Sequence, residues 1–92
     1  MIWSPRATAE LVAIELYLNQ RNPTAAVRLV DRILLAVRRL DEFPSIGREG
    51  RVAGTPELVI IRTRYVVAYR LSPEGVEILT IRHGARQWPD TL

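Results

Sequence analysis

The residues best suited to chemistry lie together near the end of the chain, between Ile81 and Pro89. This segment holds the chain's one histidine, His83, together with Arg82, Arg86 and Trp88. An imidazole can act as a general base or acid near neutral pH, and guanidinium groups can stabilise a phosphate that gains negative charge. The segment therefore offers groups that a metal-independent ribonuclease needs. It equally suits contact with phosphates, bases or an acidic protein surface.

The same residues also fit structural roles. His83 can cap the end of a strand and hydrogen-bond to the backbone, and Trp88 can form a lid over the end of the sheet, with Pro89 behind it. With one histidine and no cysteine, a zinc site has no support, and no close carboxylate pair indicates glycosidase chemistry. We therefore expect no metal and no cofactor.

Arginine supplies all thirteen basic residues of the chain, whose formal net charge is +3. Compositional bias of the genome is the larger reason for the absence of lysine, and guanidinium groups also suit bidentate contact with phosphates and carboxylates. Arg62 ends a predicted strand and Arg64 lies in the predicted turn after it, and both join the segment described above as candidates. The candidate target-binding residues are thus Arg62, Arg64, Arg82, His83, Arg86 and Trp88.

The length of 92 residues predicts a single domain over residues 1–92. The chain has no cysteine, and no apolar run approaches the ~18 residues that a membrane span requires. We therefore expect a cytoplasmic protein that does not bind membranes.

Two amphipathic helices are predicted first. Ser4 before Pro5, and Asn22 before Pro23, each combine a capping side chain with a proline at the first helical position. The apolar stripes comprise Ala7, Leu11, Ile14 and Leu18 in the first helix, and Ala26, Val30, Ile33, Val37 and Leu40 in the second. The short connection between them predicts an antiparallel hairpin.

A small sheet is predicted to follow. Ile2 and Trp3 form a short edge strand, and extended segments cover 51–53 merging into 58–62, then 65–71 and 76–82. Short turns make the last three antiparallel neighbours, and Arg70 should face Glu77. The fold class is α+β, in the order β-α-α-β-β-β, with the hairpin packed on one face of a mainly antiparallel sheet. In the loop after the second helix, Phe43 and Ile46 should anchor under the helices.

Both faces of this sheet are predicted to be apolar. Alternation places Val66, Ala68, Leu79 and Ile81 on one face, and Val67, Tyr69, Val76 and Ile78 on the other. A helix hairpin can cover only one face, so we expect a partner chain or a further layer on the second.

In combination, six motifs along the chain resemble the RelE/ParE toxin superfamily of type II toxin–antitoxin systems. They are Trp3-Ser4-Pro5-x-Ala7, Pro23-x-Ala25-Ala26, Phe43-Pro44-x-Ile46-Gly47-Arg48, Gly54-Thr55-x-Glu57-Leu58, Tyr65-Val66-Val67-Ala68-Tyr69-Arg70, and Ile78-Leu79-x-Ile81-x-His83-Gly84-Ala85-Arg86-x-Trp88-Pro89.

The resemblance implies one of two activities. Some members are mRNA interferases that cut transcripts on the ribosome, and ParE-type members poison DNA gyrase. The interferases commonly carry an arginine just after the tyrosine that opens the middle strand, where this chain has Val66. Many also need a tyrosine or histidine near the chain end, where this chain has Asp90, Thr91 and Leu92. If the chain is a nuclease, the candidate catalytic residues are His83, Arg82 and Arg86.

These departures favour a ParE-like gyrase inhibitor that acts by binding and is not an enzyme. The alternatives are a ribosome-dependent mRNA endonuclease and a degenerate toxin that retains only antitoxin binding. The resemblance also implies an acidic antitoxin, partly disordered when free, in a toxin–antitoxin hetero-oligomer. The candidate antitoxin-binding residues are Leu11, Ile14, Leu18, Val67, Tyr69 and Ile78.

Overall fold

The computed structural model of the protein describes residues 1–89 and 91–92. Its elements are strand β1 (Ile2–Trp3), helices α1 (Pro5–Asn19) and α2 (Pro23–Glu42), and strands β2 (Glu57–Val59), β3 (Tyr65–Ser72) and β4 (Gly75–His83). The predicted element order and the α+β class are confirmed.

The strands form one four-stranded sheet in the order β1-β4-β3-β2. β1 runs parallel to β4, and the other neighbours are antiparallel. Arg70 faces Glu77 as predicted, with 3.1 Å between Arg70 Nε and Glu77 Oε1. β2 is shorter than predicted, because 51–53 and 60–62 lie outside it. Gly54, with a φ of 76°, and Pro56 interrupt the extended backbone ahead of β2.

A β-bulge in the β3–β4 pair corrects the predicted faces of the sheet. Ala68 pairs with Thr80 and Tyr69 with Ile78, so Leu79 is an extra residue on β4. The insertion shifts the alternation, and Ile81 pairs with Val67 and belongs to the core under the helices. The prediction that Ile81 shares a face with Val66 was wrong, because simple alternation cannot anticipate a bulge.

Both helices begin where their caps predict. Ser4 Oγ accepts the Ala7 N–H at 3.0 Å, and Asn22 Oδ1 accepts the Ala25 N–H at 3.1 Å. The helices pack on one face of the sheet around a single apolar cluster. Its fully buried members are Ala7, Ile33, Val37, Leu40, Ile60, Val67, Tyr69, Val76, Ile78 and Ile81.

The second face of the sheet is sheltered, which contradicts the predicted bare apolar face. Val66 exposes 4% of its surface, Ala68 0% and Leu79 8%. Arg82 lies beside Val66 on this face, because the two are directly paired, and its guanidinium lies 6.0 Å from the Trp88 ring centroid. The guanidinium of Arg51 lies 4.6 Å from the same ring. The loop before β2 and the C-terminal segment thus meet over this face.

The loop after α2 is held by Tyr69 and not by its own apolar side chains. Phe43 and Ile46 are 51% and 44% exposed, so their predicted anchoring role was wrong. The Tyr69 hydroxyl donates to the Pro44 carbonyl at 2.8 Å and accepts the Gly47 N–H at 2.9 Å. These bonds hold the loop backbone, and the two side chains remain at the surface.

Candidate functional site

One end of the sheet brings together four of the predicted target-binding residues. Tyr65 at the start of β3 pairs with His83 at the end of β4, and the Gly84 N–H donates to the Arg64 carbonyl at 2.7 Å. The turn that carries Arg62 and Arg64 therefore lies beside the segment that carries His83 and Arg86. The β3–β4 pairing thus brings these four residues to one end of the sheet.

A cleft of about 160 Å³ opens at this end, between α1 and the end of β4. Its polar side chains are Glu10, Tyr65, Arg82, His83 and Arg86. An imidazole, a phenol, a carboxylate and two guanidiniums thus share one small surface. Such a set can bind an anionic group and can in principle exchange protons with it.

His83 is half-buried in this cleft. Its Nδ1 accepts the Ala85 N–H at 3.2 Å, and its ring meets the Tyr65 ring edge-on, with 6.0 Å between the centroids. When Nδ1 accepts, a neutral imidazole carries its proton on Nε2 and can only donate from there. The backbone hydrogen bond agrees with the structural role that the sequence left open for this residue.

Glu10 is a site residue that the sequence interpretation missed. Its Oε1 accepts the Thr80 hydroxyl at 2.7 Å and the Ile81 N–H at 3.2 Å, and its Oε2 lies 3.8 Å from Arg82 Nε. β1 ends at Trp3, so the carboxylate satisfies a backbone donor on the open edge of β4. The available signal was an acidic residue between Ala7 and Leu11 on the apolar side of α1.

Arg82 and Trp88 are held by structural contacts. Arg82 Nε donates to Thr80 Oγ1 at 3.1 Å, and the Trp88 ring faces the guanidiniums of Arg51 and Arg82. Trp88 is half-buried, and among the described residues its indole N–H has no acceptor. These contacts agree with the lid role that the sequence left open for Trp88.

Arg62 and Arg64 lie on an ordered turn between β2 and β3. Arg62 adopts a φ of 65°, in the left-handed region that few non-glycine residues occupy. The Thr63 hydroxyl donates to the Ile60 carbonyl at 2.8 Å and accepts the Tyr65 N–H at 3.0 Å. Both guanidiniums extend from this turn into solvent.

The predicted antitoxin-binding residues form two groups in the structure, one fully buried in the core and one half-buried on α1. Val67, Tyr69 and Ile78 each expose 0% of their surface and lie in the core between the helices and the sheet. No partner can contact them in this conformation, because the helices cover the face that they occupy. The prediction placed them on an open face, and their complete burial contradicts it. Leu11, Ile14 and Leu18 of α1 are half-buried.

A different apolar surface is exposed between α2 and the edge strand β2. We call it the α2–β2 groove. It is a depression of about 220 Å³ whose main lining residues are Arg32, Leu35, Arg39, Ile46, Val59 and Ile61. Leu35 is 64% exposed and Ile61 is 72% exposed. Helical periodicity did not predict this surface, because it identifies the residues that face the core and Leu35 lies outside that stripe.

Within residues 1–89 and 91–92, no three histidine or acidic side chains cluster closely enough to hold a metal ion. In the same residues, neither helix combines the length and hydropathy that a membrane crossing requires.

Comparisons with known proteins identify the family. Residues 1–88 match the family model described as the ParE toxin of the type II toxin–antitoxin system parDE. The chain is 44% identical over 90 residues to Y4kP, named as a toxin, of Sinorhizobium fredii, covering 98% of this chain and 93% of that protein. It is 40% identical over 86 residues to toxin RelE2 of Caulobacter vibrioides, covering 94% and 96%.

A solved structure described as the chromosomal ParDE toxin–antitoxin system from P. aeruginosa has the same fold. It superposes with a TM-score of 0.79 at 26% sequence identity, covering 88% of this chain and 90% of that chain. The match of the family model to nearly the whole chain, the close relatives and the shared fold agree. This protein therefore belongs to the ParE toxin family of type II toxin–antitoxin systems.

Proposed function

We propose that this toxin acts by binding the complex of DNA gyrase with DNA, and that a cognate antitoxin neutralises it. The observation that carries the proposal is the state of the candidate nuclease groups. Arg82 is engaged by Thr80 and Glu10, and His83 Nδ1 accepts a backbone N–H. A buried Val66 occupies the position where the resembling interferases commonly carry an arginine. This arrangement supports binding more than hydrolysis.

The proposed contact surface is the end of the sheet that carries Arg62, Arg64, His83 and Arg86. The three arginines are exposed, and the Tyr65–His83 pairing and the Gly84–Arg64 hydrogen bond hold the two segments that carry them side by side. Guanidiniums on an ordered backbone lose less conformational entropy when they bind than guanidiniums on a loose one.

A supercoiling assay with purified gyrase tests this proposal. We expect the wild-type toxin to inhibit at micromolar concentration, and Arg64→Ala/Arg86→Ala to raise the required concentration about tenfold. Arg6→Ala/Arg38→Ala removes the same charge at the other end of the helix hairpin and should behave like wild type. Absence of inhibition by wild type at micromolar concentration would count against gyrase as the target.

The cleft that holds Tyr65, His83 and Arg86 favours a second candidate, a ribosome-dependent mRNA endonuclease. There His83 Nε2 would exchange a proton with the RNA, while Arg86 would hold the phosphate. Several relatives are also named RelE toxins. Primer extension on translated mRNA tests this candidate. Cleavage by wild type that His83→Ala abolishes supports it, and an intact transcript with wild type excludes it.

A toxin that has lost its activity but still binds an antitoxin remains the third possibility from the sequence. Induced expression in a host without the antitoxin distinguishes it. Growth arrest shows an active toxin, and unimpaired growth at a verified protein level indicates an inactive one.

For the antitoxin, we propose the α2–β2 groove as a docking surface in place of the buried residues Val67, Tyr69 and Ile78. The groove exposes apolar side chains beside Arg32 and Arg39, which suits an amphipathic segment with acidic flanks.

Charge substitutions in this groove test the docking surface. Leu35→Glu/Ile61→Glu should weaken antitoxin binding at least about tenfold in calorimetric titration, because both side chains are exposed and would face acidic flanks. Leu16→Glu, at a 57% exposed position on α1, is the control and should bind as wild type. Equal binding by all three proteins would place the antitoxin elsewhere.

A further inference from the structure

A second cationic surface lies outside the cleft and next to the α2–β2 groove, with which it shares Arg32. It is a depression of about 270 Å³ between the first half of α2 and the β2–β3 turn. Three arginines line it, namely Arg28, Arg32 and Arg62, and we call it the arginine depression.

The fold brings these three guanidiniums together from distant parts of the chain. Arg28 and Arg32 are four residues apart on α2 and so share one helical face. Arg62 comes from the turn, and Arg32 Nη1 donates to the neighbouring Ile61 carbonyl at 3.4 Å. That hydrogen bond joins α2 to the turn and keeps the three charges on one surface.

No carboxylate lines the arginine depression. Within residues 1–89 and 91–92, the ion pairs of the protein involve Arg48, Arg51, Arg70 and Arg82. The guanidiniums of Arg28, Arg32 and Arg62 therefore have no acidic partner in that part of the chain. Three cationic side chains that line one depression without an acidic partner there favour an anionic ligand, which would form charge-assisted hydrogen bonds with them.

The lining distinguishes the kind of anion. Asn22, Thr24 and Thr63 supply polar groups, and Leu29 is the only large apolar side chain. An amphipathic acidic peptide needs apolar contact, which the α2–β2 groove offers and this depression does not. A nucleic acid backbone is polar throughout and carries closely spaced charges, which guanidiniums can bind in bidentate fashion.

We propose that the arginine depression binds the phosphates of a duplex DNA backbone. The binding is independent of sequence, because the surface offers charge and no element that enters a groove. It lies beside Arg64 on the same turn, so DNA bound here would also lie along the proposed gyrase-contact end. The proposal does not require gyrase and concerns DNA binding by the free toxin.

Fluorescence anisotropy with a labelled 20-bp duplex tests the proposal. Wild type should bind with a Kd of about 1–100 µM near physiological salt, and more tightly as salt is lowered. Arg28→Gln/Arg32→Gln, which leaves the proposed gyrase-contact residues intact, should bind about tenfold more weakly, and its plot of log Kd against log salt should be less steep by about two. Circular dichroism verifies that each variant is folded.

Arg6→Gln/Arg38→Gln is the matched control, with the same change in net charge. It should stay within about twofold of wild type and keep most of its salt dependence. Equal weakening of both double variants would mean that net charge alone drives binding, and would overturn the site. No binding by wild type at 50 mM salt and 100 µM protein would overturn it as well.

A second arm separates phosphate from carboxylate, and DNA binding from gyrase inhibition. Poly-L-glutamate of matched charge should compete poorly with the duplex, and displacement at equal charge concentration would overturn the preference for phosphate.

The same variants are assayed against gyrase. Loss of DNA binding with a retained supercoiling effect would leave both proposals standing as separate functions, whereas DNA binding without any supercoiling effect would refute only the gyrase proposal.

Discussion

Three glutamates illustrate how surroundings decide the role of a single residue. Glu77 forms an exposed pair with Arg70, which strand pairing predicted. Glu57 is buried beneath Arg48 and Arg51, and Glu10 holds the open edge of β4. Neither of the last two roles follows from the neighbours of these residues in sequence, because their partners come from other elements.

Replacing Glu57 and Glu77 should therefore have different effects on stability. Glu57 Oε2 accepts the Arg51 N–H at 2.8 Å, and its Oε1 lies 3.2 Å from Arg48 Nη2. Glu57→Gln should lower the free energy of unfolding by about 1.5–3 kcal/mol, because it weakens charge-assisted bonds to a buried group. Glu77→Gln should cost about 0–1 kcal/mol, as is usual for exposed pairs. Urea denaturation measures both, and equal losses would contradict the distinction.

Tyr69 stabilises the fold through its hydroxyl group as well as through its buried ring. Tyr69→Phe keeps the ring in the core but leaves the Gly47 N–H and the Pro44 carbonyl without their partner. We expect a loss of about 1–3 kcal/mol in the free energy of unfolding, measured by chemical denaturation. Tyr17→Phe, at a 56% exposed position, is the control and should cost less than about 0.5 kcal/mol.

At the scale of elements, the start of α1 ties the helix to the sheet. Ser4 caps α1, its hydroxyl donates to the Leu79 carbonyl at 2.9 Å, and its N–H donates to the Ile78 carbonyl at 2.9 Å. Leu79 is the bulged residue of β4, so one serine serves the helix end and the irregular strand at once. The cap was predictable from Ser4-Pro5, and the contact with β4 was not.

The two helix caps should therefore contribute differently to the free energy of unfolding. Ser4→Ala removes the cap and the bond to Leu79, and should lower the free energy of unfolding by about 2 kcal/mol. Asn22→Ala removes a cap at an exposed position and should lower it by about 1 kcal/mol. Thermal and urea denaturation of the two variants compare these losses. A smaller loss for Ser4→Ala than for Asn22→Ala would show that the Leu79 bond does not stabilise the fold.

At the scale of the whole molecule, the sheet is covered on both sides by its own chain. The helices cover one face, and the loop before β2 and the C-terminal segment meet over the other. A partner is therefore not needed to shelter the second face. The α2–β2 groove is an apolar surface that remains open, and Leu35 and Ile61 are exposed there.

Trp88 should stabilise the protein by covering the second face of the sheet. Trp88→Ala removes a large ring that faces the guanidiniums of Arg51 and Arg82, and should lower the free energy of unfolding by about 1–3 kcal/mol. Far-UV circular dichroism during urea denaturation measures the loss without relying on tryptophan fluorescence. Gln87→Ala, at the exposed neighbouring position, should have almost no effect, and an equally small effect of Trp88→Ala would contradict the lid role.

From the sequence alone, the two helices with their caps, the antiparallel strands, the Arg70–Glu77 pair and the toxin superfamily could be predicted. These features depend on periodicity, on capping residues and on turns, which act over a few neighbouring residues. The grouping of Arg62, Arg64, His83 and Arg86 was also accessible, because short turns bring the ends of adjacent strands together.

Only the tertiary structure decided which faces are buried. The bulge at Leu79 moved Ile81 into the core, the C-terminal segment and the Arg51 loop covered Val66, and Glu10 reached the edge of β4. The arginine depression likewise joins α2 to a turn about thirty residues away. Such features depend on an irregularity in the strand pairing and on contacts between distant segments, and neither is specified by local periodicity.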